Sequence, residues 1–241
     1  MIIGGVSAAA VHLHPTAPLA PRALLPGDPG RALALATALL VAPRMFNHNR
    51  GLWGYTGTAG DGALLTIQST GMGGPSAAIV LEELIALGLE RAIRVGTAGA
   101  LTPALAPGEL LIATEAICAD GTSRALGSGE RESADAATLD ALRRCAPGAK
   151  AGTIVTSDLF YEDGPARLDA WRAAGALAVE MEAAALFATG RRRGVAVGCV
   201  VAVTDVLVGQ PVRLGPQERS EAGIAAGRLG AGALEALGAL A

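Results

Sequence analysis

Aromatic residues make up only 3% of this 241-residue chain. Ala, Leu and Val must fill the core instead, and a hydrophobic content of 51% is enough for one sizeable domain over 1–241. Charge is also scarce, at 17% against roughly 25% in an average domain. A charged side chain inside an apolar or glycine-rich stretch therefore stands out. The net charge is −3 and no long basic run occurs, which argues against a nucleic-acid partner. The cysteines Cys118, Cys145 and Cys199 are widely spaced, odd in number and lack a CxxC, so buried or free thiols are expected rather than a disulfide or a zinc site. His12, His14 and His48 fit no metal-ligand spacing, and no metal is expected. The opening stretch lacks the basic start of a signal peptide, and no charge-free run has the length of a membrane span. These absences lead to the expectation of a cytoplasmic protein without a membrane partner.

Glycine, in contrast, is plentiful at 33 residues. A short strand ends at Ala23–Leu25 and runs into the turn PGDPGR. A helix is expected over 31–41, a hairpin over 51–70 about the Gly60–Gly62 turn, and a second glycine turn at 71–75 leading into another helix. Strand-like runs recur at 92–96, 109–119, 151–156 and 196–204, with helices at 165–174, 182–193 and 217–240. Residues 120–135 are polar and glycine-rich and read as a loop. This alternation indicates an α/β sandwich, in which ligands sit beyond the carboxyl ends of strands.

Four constellations fall near such ends. In Leu25-Pro-Gly-Asp-Pro-Gly-Arg31, a glycine turn can present backbone N–H groups to an anion, and Arg31 in the first helical turn opposes the helix dipole unless an anion is near. The alternative is an ordinary turn with a solvated arginine. In Ala92-Ile-Arg-Val-Gly-Thr97, Arg94 interrupts an apolar strand and needs a partner. Arg94 and Thr97 suit phosphate, and a salt bridge from Arg94 to Glu82, Glu83 or Asp28 is the other option. Glu180 and Glu182 share one face of an extended segment, opposite Met181, and could accept hydrogen bonds from a diol; an acidic helix start has the same pattern. Asp205, after Thr204, ends an apolar run, where a carboxyl can have a raised pKa and act as an acid, or can simply cap a turn.

The stretches LPGDPGRA, NRGLWGYTG, STGMGGPS, IRVGTAGAL, SDLFY, VEMEAAALF and VTD occur in order from His12 to Arg219. Together they resemble the purine nucleoside and uridine phosphorylase family, in its hexameric bacterial branch. The resemblance implies a three-layer α/β/α sandwich around a mixed, partly barrel-like central sheet. It implies cleavage of a nucleoside by inorganic phosphate, a co-substrate, with no cofactor. Gly27, Arg31, Arg94 and Thr97 then match the phosphate site, and Arg50 an arginine lent by a neighbouring subunit. His12 matches a histidine that a neighbour lends to the ribose. Met181 and Glu182, with Glu180 beside them, match ribose contacts, and Phe160 an aromatic on the base. Thr204 and Asp205 match the group that helps the base to leave, with Arg219 in support. The implied assembly is a dimer, combined as a trimer of dimers into a hexamer.

The base is the open question. Uridine enzymes of the family carry a Gln and an Arg after Phe-Tyr; Arg167 fits after a one-residue shift, but the Gln is missing. Asp205 favours a purine. Uridine cleavage, a hydrolytic nucleosidase and a non-catalytic nucleoside-binding protein are the alternatives. A dinucleotide-dependent oxidoreductase is disfavoured, since neither glycine turn reads GxGxxG with an acid about 20 residues on.

Overall fold

The computed structural model describes residues 10–161 and 164–238. The first half runs β1 (Arg22–Leu25), α1 (Pro29–Leu39), β2 (Val41–Asn47), β3 (Gly54–Thr58), β4 (Leu64–Gln68), α2 (Gly74–Ala86) and β5 (Arg91–Ala100). There follow β6 (Leu110–Ala119), α3 (Gly121–Ala125), β7 (Arg131–Ser133), α4 (Ala136–Cys145), β8 (Lys150–Ser157) and α5 (Pro165–Ala173). The chain continues through β9 (Ala178–Glu180), α6 (Ala183–Arg193), β10 (Ala196–Val206), β11 (Val212–Arg213) and α7 (Pro216–Gly238).

Local chemistry sets several boundaries. Asp28 caps α1 by accepting a bond from the Arg31 amide at 2.6 Å, and Pro29 follows in the first turn. Gly194, in the left-handed region, ends α6. Along β1, Ala23 and Leu25 join one apolar cluster and Leu24 the other, the alternation of a strand buried on both faces. Helices α2, α3 and α6 pack together on one side of the sheet, and α1, α4 and α7 on the other. The result is the three-layer arrangement expected from the sequence.

The sheet holds 11 strands in the order β11-β10-β6-β8-β9-β5-β1-β4-β3-β2, with β7 on β6. An added pairing of β10 with β5 closes β10, β6, β8, β9 and β5 into a ring, the barrel-like part of the sheet. Strands β1, β4, β5 and β10 run parallel, so their carboxyl ends open on one side of the molecule.

Residues 120–135 are not the loop their composition predicted. They contain α3 and β7, because their polar groups bond inward. Asp120 is buried and caps α3, accepting from the Ser123 amide at 2.7 Å, and buried Glu132 on β7 pairs with Arg191 at 2.8 Å. Helix α1 starts and stops two residues before the predicted 31–41, and the chain turns directly into the unpredicted edge strand β2. Strand β5 continues well past 96, and α4, β9 and β11 were not legible in the hydrophobic pattern. Residues 239–240 of the expected last helix lie outside the described residues.

Helix α6 sits so close to β10 that a Cβ on Gly190 would stand 2.7 Å from the Val195 carbonyl oxygen and 2.6 Å from Val197 Cγ2. The obstructing oxygen is backbone and cannot rotate away. Gly190→Ala is therefore expected to destabilise the fold by about 1–3 kcal/mol, the usual range for overpacking, as read from urea denaturation midpoints.

Candidate active site

The centre of the site is Arg94. It follows Ala92 on the face of β5 that looks toward α2 and α6, and it is only 3% exposed. Gly96, next on that face, leaves room for it: a Cβ there would lie 2.8 Å from Arg94 Nη2. The expected partners Glu82, Glu83 and Asp28 are engaged elsewhere, with Arg193, His12 and the α1 N-terminus. Arg94 instead faces both acids of the Glu-Met-Glu segment, with Nε 2.8 Å from Glu180 Oε2 and Nη2 against Glu182 Oε2. Burial would depress the guanidinium pKa, but the charges of Glu182 and Glu180 outweigh it and hold it above its usual value. Nη1 of Arg94 is buried without a hydrogen-bond partner among the described residues.

The two carboxylates differ in employment. Glu180 accepts from the Thr156 hydroxyl at 2.6 Å, from the Glu182 amide at 2.8 Å and from the Ala183 amide at 3.0 Å. It thus closes the N-terminus of α6, where a negative charge is favoured. Glu182 Oε1 accepts from the Gly73 amide, at the start of α2, at 2.6 Å. Burial raises the Glu182 carboxyl above the ordinary range, against the pull of Arg94. The predicted shared face of Glu180 and Glu182 is real, and what it faces is Arg94.

These side chains border a cavity of about 670 Å³ over the carboxyl ends of β1, β5 and β10. Gly27, Arg31, Arg94 and Thr97 are among its lining residues. Arg31 is depressed from its usual pKa by burial first and then by the nearby charge of Arg94. Two neighbouring guanidiniums, one buried with an unmatched donor and one half-buried, can together hold a polyvalent anion. Met181, Glu182, Phe160, Thr204 and Asp205 line the same cavity, and Phe160 stands edge-on to Tyr161 with ring centroids 5.1 Å apart.

The arginine beside Asp205 is Arg213. The two stand opposite each other across β10 and β11, and Arg213 Nε donates to Asp205 Oδ1. The Thr204 hydroxyl donates to Asp205 Oδ2 at 2.8 Å. Arg219 is exposed in the first turn of α7 and is not among the residues lining the cavity. Sequence reading missed Arg213, although a cation eight positions after Asp205 in an uncharged stretch is a usable signal. Arg167 borders a separate hollow with Asp120, Arg124 and Trp171.

His12 and Arg50 are not among the residues lining this cavity, and the segments that carry them are bonded to each other. Asn49 Nδ2 donates to the His12 carbonyl at 2.9 Å, and the His14 amide donates to Asn47 Oδ1 at 2.8 Å. Arg50 is exposed and sits at φ 57°, a left-handed conformation uncommon for arginine. His12 Nδ1 lies 2.6 Å from Glu83 Oε1, while the amides of Val11, His12 and Leu13 donate to the same carboxylate. Burial opposes the charge of Glu83, yet these bonds prevail and hold its pKa below the usual range. His12 Nε2 has no partner among the described residues. Among those residues, no group of His, Cys, Asp and Glu could hold a metal ion, and no helix is long and apolar enough to cross a membrane.

The phosphorylase superfamily profile matches residues 21–237. The chain belongs to the phosphorylase superfamily. It is 36% identical over 198 residues to the DeoD-type purine nucleoside phosphorylase of Clostridium novyi, covering 79% of this chain and 84% of that one. It is 38% identical over 193 residues to a guanosine phosphorylase of Halorubrum lacusprofundi, covering 77% and 78% respectively. A crystal structure of Vibrio fischeri uridine phosphorylase, complexed with 6-hydroxy-1-naphthoic acid, superposes with a TM-score of 0.79 at 30% identity over 92% of each chain. The superfamily suggested by the ordered motifs is thus the family of this chain, and the sandwich with its ring-closed sheet is shared with a solved relative.

The raised Glu182 carboxyl has a thermodynamic consequence. An acid whose pKa is higher in the fold than in the unfolded chain favours folding below its unfolded pKa, and this contribution is lost as pH rises through the folded pKa. Glutamine keeps the shape and does not titrate. Glu182→Gln should therefore gain stability relative to the parent at about pH 8 and lose that gain toward about pH 4, as followed by thermal melts. Turnover should fall about 10–100-fold, the scale of one charge-assisted hydrogen bond. A melting difference that is the same at both pH values would contradict the assignment.

Proposed function

We propose that this phosphorylase cleaves the N-glycosidic bond of a purine nucleoside with inorganic phosphate, giving free base and ribose 1-phosphate. The observation that carries the reading is one cavity lined together by an arginine pair, the Glu-Met-Glu segment, an Asp-Thr pair and an aromatic. Gly27, Arg31, Arg94 and Thr97 are assigned to phosphate. The arginines position it and offset its charge, so no protein nucleophile is needed. A phosphate oxygen bonds to C1′ as the C1′–N bond breaks, its electron pair leaving with the base. Glu182 accepts from the ribose hydroxyls, with Met181 against the sugar. Glu180, whose oxygens are already engaged by Thr156, Arg94 and the α6 amides, serves as a positioning residue. Phe160 packs on the base. Asp205, with Thr204 and Arg213, delivers the proton or hydrogen bond that eases base departure.

His12 and Arg50 are assigned to the site of a neighbouring copy. Their joined segments, absent from the lining of their own cavity, support this, and Glu83 fixes which ring nitrogen His12 presents outward. The unit is then a dimer, assembled three times into a hexamer, of single-domain chains working in the cytoplasm with phosphate as co-substrate and no cofactor. The missing Gln in the Phe160–Arg167 segment and the presence of Asp205 favour purine over uracil.

Base release from inosine, guanosine, adenosine and uridine, with and without phosphate, tests the reading. Phosphate-dependent purine release is expected; release without phosphate would sink it, and uridine turnover alone would sink the purine assignment. Asp205→Asn should lower kcat by about 10²–10⁴-fold with little change in the KM for phosphate. The lent arginine has its own test. Arg50→Ala and Asp205→Asn chains, each inactive, should regain about one quarter of wild-type activity when unfolded together and refolded as random dimers. No recovery in mixed dimers would place Arg50 in its own chain's site.

A further inference from the structure

We propose that Arg213 makes this enzyme selective for 6-oxopurine nucleosides over 6-aminopurine nucleosides. The inference rests on the purine reading above and names the substrate class within it. Strand β11 is only two residues long, and its pairing with β10 sets Arg213 directly across from Asp205. Arg213 borders the cavity, and its Nε is committed to Asp205 Oδ1. The negative charge of Asp205 accordingly holds the guanidinium above its usual pKa. Neither Nη group of Arg213 has a bond to a described residue, so an edge of N–H donors is left beside the cavity.

An arginine has donors only and cannot accept a hydrogen bond. The Asp205 carboxylate is turned toward these neighbours, Oδ1 taking Arg213 and Oδ2 the Thr204 hydroxyl. What Arg213 itself offers a base is donors only. A 6-oxopurine presents two acceptors side by side, N7 and O6, and the guanidinium fork matches that pair. A 6-aminopurine presents N7 beside an amino group, so donor would meet donor at the sixth position. The same match acts during reaction. As the C1′–N9 electron pair passes to the base, negative charge spreads to N7 and O6, where a cation stabilises it.

Values of kcat/KM for inosine, guanosine and adenosine at saturating phosphate test this in the wild type, Arg213→Gln and Arg213→Lys. The wild type should favour the two 6-oxo substrates by about tenfold or more, the scale of one well-matched base contact. Arg213→Gln supplies one donor and one acceptor, the pattern that suits a 6-amino base. Whatever loss it shows on adenosine, it should lose about tenfold or more beyond that on inosine and guanosine. Arg213→Lys keeps the charge beside Asp205 but not the fork, and should also narrow the ratio. Thermal melts matching the wild type show that the variants fold. An equal loss on all three substrates in both variants would overturn the proposal and leave Arg213 as a support for Asp205 alone, as would a wild type that takes adenosine as readily as inosine. Uridine turnover with no purine release would bring down the purine reading itself, and this inference with it.

Discussion

A guanidinium buried beneath the cavity organises much of what surrounds it. Arg94 sits on a strand paired on both sides, where an unmatched charge would be prohibitive. Its two partners come from a segment more than eighty residues away, which crosses at the end of β9 and enters α6. One partner, Glu180, closes α6, and the other, Glu182, takes the first amide of the α2 turn. Ion pairing, two helix starts and the ring closure of the sheet thus meet at one side chain. Arg94 and Glu180 in particular tie the floor of the site to the start of α6.

The same arrangement prepares the site electrostatically. Both carboxylates approach Arg94, yet Nη1 remains without an acceptor, and Arg31 stands close enough for its own charge to be disfavoured. Burial favours the protonated form of Glu182, and Arg94 beside it pulls the other way. The opposition of Asp205 and Arg213 across two strands gives the cavity a second charge pair.

Much of this was legible beforehand, for identifiable reasons. Turn glycines, helix caps and apolar runs are local features, so the β1 turn, the 51–70 hairpin and the helices at 165–174 and 182–193 were placed correctly in outline. The stretch 120–135 was misread because composition cannot distinguish a polar group facing water from one bonded inward, as Asp120 and Glu132 are. The identity of Arg94's partners was equally hidden. Glu82 and Glu83 were near in sequence, but α2 carries them away to Arg193 and His12.

The sequence by itself determined the superfamily, because the ordered motifs name chemistry that each residue type carries wherever it stands. Only the tertiary structure decided who meets whom. Arg94 with Glu180 and Glu182, Asp205 with Arg213 rather than Arg219, and His12 with Glu83 are all fixed by strand register and helix packing. Those are sums over many long-range contacts, and no single stretch of chain contains them.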